Sequence, residues 1–322
     1  MKRILFLILI LCLAIGAFGQ QRSLYSQYML NPFAFNPAYA GIEDAVPIHL
    51  SLRQQWIGIR EAPVTQMVTA DSYLGLNTAI GGSFFNEVTG PTRRTGLTFG
   101  GAYHMYLGRY GRKSGRRYNA RYRASKERRE VLSFGLSGML YQQQLGRNQL
   151  ITEEPDDPAL LQGTYNQLLP DVNFGVFYNY RELWYLGFSI LHLAQPSPYL
   201  TESRPVRTFY LTAGGNFPIA DEVYLQPSFL LQSIAPFWSF QGGNLPAYTL
   251  PFQVDIGTRV MFRDVFWFGA SYRHQDAAVA MVGIRQGKLD IGYSYDYTVS
   301  ALAPFSNGSH EISVTLSVGN ED

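Results

Sequence analysis

The sequence predicts an all-β protein, a transmembrane antiparallel barrel of about fourteen strands in a bacterial outer membrane. Three observations lead there. The chain opens with a secretory leader. Short segments of alternating apolar and polar residues then run to its end, near the roughly 10 residues that a tilted membrane strand needs. The composition is aromatic (15%) but poorly charged (16%), with no apolar run long enough to cross a bilayer as a helix. That mixture suits a barrel with a lipid-facing aromatic girdle better than a soluble enzyme.

The leader comes first. Lys2 and Arg3 precede an unbroken apolar run from Ile4 to Ile15, and Ala17, Phe18 and Gly19 stand before Gln20 and Gln21. This is the three-part layout of a signal peptide, assigned to residues 1–20. Cys12 would suit a lipoprotein anchor, but Leu11 occupies the place where a small residue is needed. Cys12 is the only cysteine, so the mature chain has no disulfide or thiolate chemistry. Loss of Lys2 and Arg3 lowers the 26 basic residues to 24, equal to the 24 acidic ones. A neutral chain gives no reason to expect nucleic-acid binding.

Residues 21–45 form a second unit, a periplasmic amino-terminal segment with two Asn-Pro steps, Asn31-Pro32 and Asn36-Pro37. Proline fixes φ and blocks both helix and ladder. The prediction is an ordered irregular segment, with Tyr25, Tyr28 and Tyr39 to pack it and Gly41 at its end. It either enters the lumen from the periplasm as a plug or serves as a periplasmic linker.

Residues 46–322 are assigned to the barrel, one domain without internal repeats. In Lys288–Ser300 the residues Leu289, Ile291, Tyr293, Tyr295 and Tyr297 share one face, while Asp290, Gly292, Ser294, Asp296 and Thr298 share the other. Val131–Tyr141 and Leu250–Phe262 alternate in the same way. A soluble β-sandwich has the same period. The aromatic apolar face, the small polar face and the alternating lengths of the connections favour the barrel. Tight connections are expected near Arg181-Glu182, Phe217 to Glu222, Arg263-Asp264 and Gln286-Gly287. Longer ones are expected near Leu145 to Pro170, Ala194 to Pro205 and Ala235 to Tyr248. Short turns lie in the periplasm and long loops outside, so both chain ends are expected to be periplasmic.

The run Arg109–Glu130 breaks that rule, being long yet periplasmic by strand count. It holds ten Lys or Arg against two Glu, a net +8 that includes Arg112, Lys113, Arg116, Arg117, Arg121 and Arg123. Such a run is either a solvated loop or a dock for an acidic partner or anionic lipid.

Little points to catalysis. No phosphate loop or metal-spaced cluster appears, and no cofactor is expected. His49, His104, His192, His274 and His310 are scattered over different strands. Ser309-His310-Glu311 has the residue types of a hydrolytic triad, but a strand turns His310 away from both neighbours. The expectation is a protein that is not an enzyme.

The polar face carries Arg53, Asp255, Arg259, Arg273, Arg285, Asp290, Asp296 and Glu311. Opposite charges on one inner wall should pair, because an unpaired charge in a partly dry lumen is costly. They form either an internal lattice or the wall of a polar channel or ligand site. Met139, Tyr141, Trp267 and Met281 are expected to point inward and partly fill the lumen. In the segment APFWSFQGGNLPAYTL, Phe237, Trp238 and Phe240 are either headgroup-belt aromatics or a protein-binding patch.

The run from Tyr25 through Asn31-Pro32 to Asn36-Pro37-Ala38-Tyr39-Ala40-Gly41 closely resembles the opening of the PorP/SprF family. Arg53-Gln54-Gln55-Trp56, Ala62-Pro63-Val64-Thr65, Asn173-Phe174-Gly175, Tyr293 to Tyr297 and Ser309 to Ile312 extend the likeness across the mature chain. The resemblance implies an outer-membrane component of the type IX secretion system of Bacteroidota. It would bind and help export or anchor cargo proteins carrying a C-terminal sorting domain, in some members for gliding motility. The implied partners are that cargo, other type IX components in the periplasm or outer membrane, and outer-membrane lipid. Phe237, Trp238 and Phe240 are the expected cargo contacts, with the Asn-Pro segment as gate. The competing reading is a passive porin or hydrophobic-solute transporter.

Overall fold

The computed structural model describes residues 25–107, 130–146, 165–197, 205–234 and 252–319. Fifteen strands follow three 3-10 turns, η1 (Tyr28–Leu30), η2 (Pro32–Ala34) and η3 (Pro37–Tyr39). The strands are β1 (Val46–Gln54), β2 (Val64–Gly75), β3 (Thr78–Thr89), β4 (Thr92–Leu107), β5 (Glu130–Leu145), β6 (Tyr165–Tyr180), β7 (Trp184–Leu191), β8 (Thr208–Gly215), β9 (Phe217–Ala220), β10 (Val223–Ile234), β11 (Phe252–Phe262), β12 (Phe266–Arg273), β13 (Ala277–Gln286), β14 (Leu289–Thr298) and β15 (Ser309–Val318).

Sequential neighbours pair antiparallel, and β15 returns to β1 with Val46 opposite Val318 and Arg53 opposite Glu311. The sheet is therefore closed. Only Asn216 separates β8 from β9, and both pair with β10, so together they fill one position in the wall. The result is a fourteen-strand barrel, as the alternation predicts.

The burial pattern is inside out. In β1, Pro47, His49, Ser51 and Arg53 are buried, whereas Ile48, Leu50 and Leu52 are exposed. The pattern recurs in β14, where Asp290, Ser294 and Asp296 are buried and Leu289, Ile291 and Tyr293 are exposed. Polar atoms inside and apolar chains outside suit a wall between a polar lumen and lipid. Closure also pairs the backbone groups of every wall strand, which the hydrocarbon region demands. No described helix is long and apolar enough to cross a membrane; the strands cross instead.

The barrel has two distinct ends. At one end β1 begins and β15 finishes, and the short connections 76–77, 181–183, 221–222, 263–265 and 287–288 lie there, where β4 also finishes and β5 begins. This is called the turn end. The connections 55–63, 90–91, 274–276 and 299–308 lie at the other, loop end, where β5, β7 and β10 also finish and β6, β8 and β11 begin. Trp184 packs between Tyr178 and Tyr180 at the turn end, an aromatic cluster of the kind that seats a barrel at the headgroup level.

Two boundaries differ from the sequence reading. Phe217–Ala220 is strand β9, so the tight turn there shrinks to Asp221 and Glu222. Strand β6 begins at Tyr165, five residues before Pro170, which lies within the strand opposite Leu140. Pro170 faces outward and is tolerated there at the cost of one donor.

Candidate functional site: the lumenal segment and its charge lattice

The segment from Tyr25 to Gly41 lies inside the barrel. Its sequence explains its shape. Pro32 and Pro37 each open a 3-10 turn, where a fixed φ helps and the missing N–H would have been unpaired anyway. The asparagine before each proline caps it. Asn31 Oδ1 accepts from the Ala34 N–H at 3.3 Å, and Asn36 Oδ1 accepts from the Ala38 N–H at 2.9 Å. The two Asn-Pro steps are thus two capped turns in series. Gly41, at φ +67°, makes the left-handed bend towards β1, and its N–H donates to Asp71 at 2.7 Å.

Apolar contacts hold the middle. Phe35 packs edge-on against Tyr25 at 5.8 Å and Tyr210 at 5.5 Å, while Tyr39 packs against Phe177 at 5.1 Å. Met29 and Leu30 lie against the inward cluster of Met261, Trp267 and Met281. Met139 and Tyr141 are buried in a neighbouring cluster. Polar contacts set the register. Tyr28 donates to Ser228 Oγ (3.0 Å), Thr69 donates to Asn31 Oδ1 (3.1 Å), and Ser189 donates to the Phe35 carbonyl (2.6 Å). Asn36 Nδ2 donates to the carbonyls of Val176 at 3.0 Å and Phe188 at 3.3 Å, bridging β6 and β7.

The wall is hollowed where η3 rests. Gly135, Gly175 and Gly187 stand on three adjacent strands, and a methyl group on Gly135 or Gly175 would overlap Pro37–Ala38 or Asn36. Below η3 the Tyr39 hydroxyl donates to Glu43 at 2.9 Å. Burial pushes the Glu43 carboxyl above its usual range, and that hydrogen bond pulls it the other way.

At the other end of the segment Ser26 sits in a lattice of charges. Arg53 bonds Asp296 at 2.7 Å and Glu311 at 3.0 Å. Arg273 meets Asp296 at 3.1 Å, Asp276 at 3.1 Å and Asp255 at 3.2 Å. The Ser26 hydroxyl donates to Asp296 at 2.7 Å and accepts from Arg53 at 2.7 Å and Arg273 at 3.0 Å, while its N–H donates to Glu311 at 2.7 Å. Gln27 continues the attachment, donating to the Glu311 carbonyl at 3.1 Å and accepting from Ser313 at 2.6 Å.

The eight charged residues singled out from sequence fall into two groups. Arg53, Asp255, Arg273, Asp296 and Glu311 meet around Ser26. Arg285 pairs with Asp290 at 2.8 Å nearer the turn end, where Trp267 Nε1 also donates to Asp290 at 2.9 Å. Arg259 lies over the Trp267 ring at 5.1 Å and donates to Gln226 at 2.6 Å. Arg259 thus meets an amide and a ring, while Arg285 and Trp267 take the Asp290 carboxylate. Of the motif residues, Tyr25, Tyr28, Asn31, Pro32, Asn36, Pro37, Tyr39 and Gly41 all lie in or at the end of the lumenal segment. Sequence reasoning missed Ser26, Gln27, Asp276 and the glycine hollow. Gly135 and Gly175 share parity with the inward residues of their strands, a signal that was available.

Ser309 and Glu311 face inward, whereas His310 turns outward to bond the Tyr293 hydroxyl at 2.6 Å. Phe237, Trp238 and Phe240 lie outside the described residues, as do Arg112, Lys113, Arg116, Arg117, Arg121 and Arg123.

Residues 17–316 match the family described as type IX secretion system membrane protein PorP/SprF. The chain belongs to that family. This PorP/SprF member is a membrane β-barrel component of type IX secretion, seated in the outer membrane. No curated protein matches it. Its fold is similar to a Pseudomonas aeruginosa FadL homologue at 11% identity, over 89% of this chain and 94% of that one, with TM-score 0.46. The Ralstonia pickettii toluene transporter TbuX is similar at 10% identity over 95% and 97%, TM-score 0.46. The CymD monoaromatic hydrocarbon channel follows at 12% over 96% and 97%, TM-score 0.46.

Proposed function

We propose that this PorP/SprF barrel is a non-enzymatic receptor that holds exported cargo carrying a C-terminal sorting domain, for export or for anchoring at the cell face. The observation that carries this reading is the occupied lumen. Residues 25–41 occupy the lumen, and two cavities that they line have volumes of about 20 and 30 Å³, room for roughly one water each. A barrel closed in this way works by presenting a surface. The loop end is the cargo face, with Phe237, Trp238 and Phe240 as its aromatic contacts. The turn end, with the carboxyl terminus, is periplasmic, and the basic run there docks an acidic periplasmic component of the secretion machinery. Whether the cargo serves adhesion or gliding motility follows from the cargo's identity.

The test is a mild-detergent pull-down of the tagged protein from its native outer membrane, read by mass spectrometry. Recovery of a large exported protein with a C-terminal sorting domain is expected. Recovery of the barrel alone, together with steady ion conduction in planar bilayers, would replace this reading with a porin. Deleting residues 21–40 is expected to raise single-channel conductance. An unchanged conductance would remove the plug role.

A further inference from the structure

We propose that the turn end of the lumen holds a binding site for a carboxylate-sized anion, built on Arg259. A fixed guanidinium with a donor to spare carries this. Arg259 projects inward from β11 and is 7% exposed. Its Nε donates to Gln226 Oε1 at 2.6 Å, and Gln226 is itself oriented by its Nε2, which donates to Asn216 Oδ1 at 3.1 Å. The guanidinium lies over the Trp267 ring at 5.1 Å. An amide on one edge and a ring on one face leave the group little freedom. Its buried Nη1 has no acceptor among the described residues. A buried charge without its partners is costly. A donor already fixed in place also spares a ligand much of the ordering cost of binding.

The carboxylates of this corner each have another partner. Arg285 places Nε and Nη2 on Asp290 Oδ2, at 3.0 and 2.8 Å, and Trp267 Nε1 takes Oδ1 at 2.9 Å. Glu43 accepts from Tyr39 at 2.9 Å, and Glu222 pairs with Arg263 at 3.2 Å on the rim. Gln226, Arg259, Trp267, Arg285 and Asp290 all stand within four residues of the turn end of their strands. Arg285 is the exposed member of the group, its side chain 38% accessible, so a ligand approaches from that end. A planar carboxylate matches the donor edge of a guanidinium. Its source is either a free anion or the acidic side chain of a peptide that reaches into the turn end.

The experiment uses Trp267 fluorescence as the reporter, in the full mature chain carrying Trp56→Phe, Trp184→Phe and Trp238→Phe and held in lipid nanodiscs. Heat-modifiable migration shows that each barrel has assembled. Iodide is titrated at constant ionic strength made up with sodium fluoride. Trp267 is buried, so quenching from bulk solution is slight and linear, whereas iodide held at Arg259 quenches the ring beneath it. Saturable quenching is expected, and sodium acetate should displace it. Arg259→Gln is expected to weaken it about tenfold or more. Linear quenching in the protein that keeps Arg259 would overturn the proposal, and that result needs no variant to fold. Saturable quenching that acetate does not displace, or that survives Arg259→Gln, would overturn it too. Saturation seen only in Glu43→Gln would mean that the chain's own carboxylate fills the site, and the external ligand would fall. Displacement by an acetylated, amidated Gly-Glu-Gly peptide at far lower concentration than acetate assigns the site to an acidic peptide. Equal potency assigns it to small free anions.

Discussion

Gly135→Ala tests how tightly the lumenal segment is docked. Gly135 faces inward on β5, and an added methyl group there would overlap the Ala38 nitrogen and the Pro37 carbonyl carbon. Both are backbone atoms, so no side-chain rotation relieves the contact. The turn η3 must lift by on the order of 1 Å to restore van der Waals distance. That movement strains the three hydrogen bonds holding this stretch to β6 and β7, which are Asn36 to Val176 at 3.0 Å, Asn36 to Phe188 at 3.3 Å and Ser189 to Phe35 at 2.6 Å. Each contributes about 1 kcal/mol net, so losing two or three weakens docking by about 2–3 kcal/mol. The undocked population then rises roughly 30- to 150-fold. Hydrogen exchange read by mass spectrometry on protein in lipid nanodiscs measures this directly. Peptides covering residues 28–41 should lose protection by that factor while those from β12 to β15 keep theirs. Gly138→Ala is the control, since Gly138 lies on the outer face of β5 with nothing within 4 Å of an added methyl group. Unchanged exchange in Gly135→Ala, or an equal effect from Gly138→Ala, would refute the close fit of η3 to the wall.

Three further outcomes are expected. Arg53→Ala leaves Asp296 and Glu311 short of a cation in a site where Arg53 is 1% exposed, and should cost about 3–5 kcal/mol in urea unfolding from lipid vesicles; a loss under about 1 kcal/mol would mean that the lattice is hydrated. Trp267→Phe removes the donor to Asp290 and weakens the stack under Arg259, for a loss of about 1–2 kcal/mol by the same measurement, with no change in the exchange of residues 25–27. Leu136→Arg places a cation on the outer face of β5 at a side chain that is 58% exposed, and should cost about 2–4 kcal/mol if that face meets the bilayer midplane. A neutral result in vesicles would argue that lipid does not cover it.

Much of the wall was legible from the chain alone, because a strand in a barrel has only two environments. The alternation in β14 assigns Asp290, Ser294 and Asp296 to one face without knowledge of any neighbour. The two Asn-Pro steps were legible as ordered irregular structure, since proline and an asparagine cap act within a few residues of each other. What the segment touches was not legible. Ser26 bonds residues 27 to 285 positions away, and nothing local marks one serine among the others as a hub. Asp276 lies in a turn and carries no parity signal. Arg259 shows the limit of charge matching, because shared parity with carboxylates cannot say which of them another group has already taken.

The lattice around Ser26 straddles the seam at which the chain closes on itself. Arg53 belongs to the first strand, Glu311 to the last, and the two are direct partners in the β1–β15 ladder. Sliding that ladder by one residue would turn one of these charges towards lipid. The segment preceding β1 lies within the wall. Through Ser26 that peptide bonds both edges of the seam. The closed ring and the peptide inside it therefore share one set of contacts: an edge one residue out of step would leave Ser26 without its carboxylate.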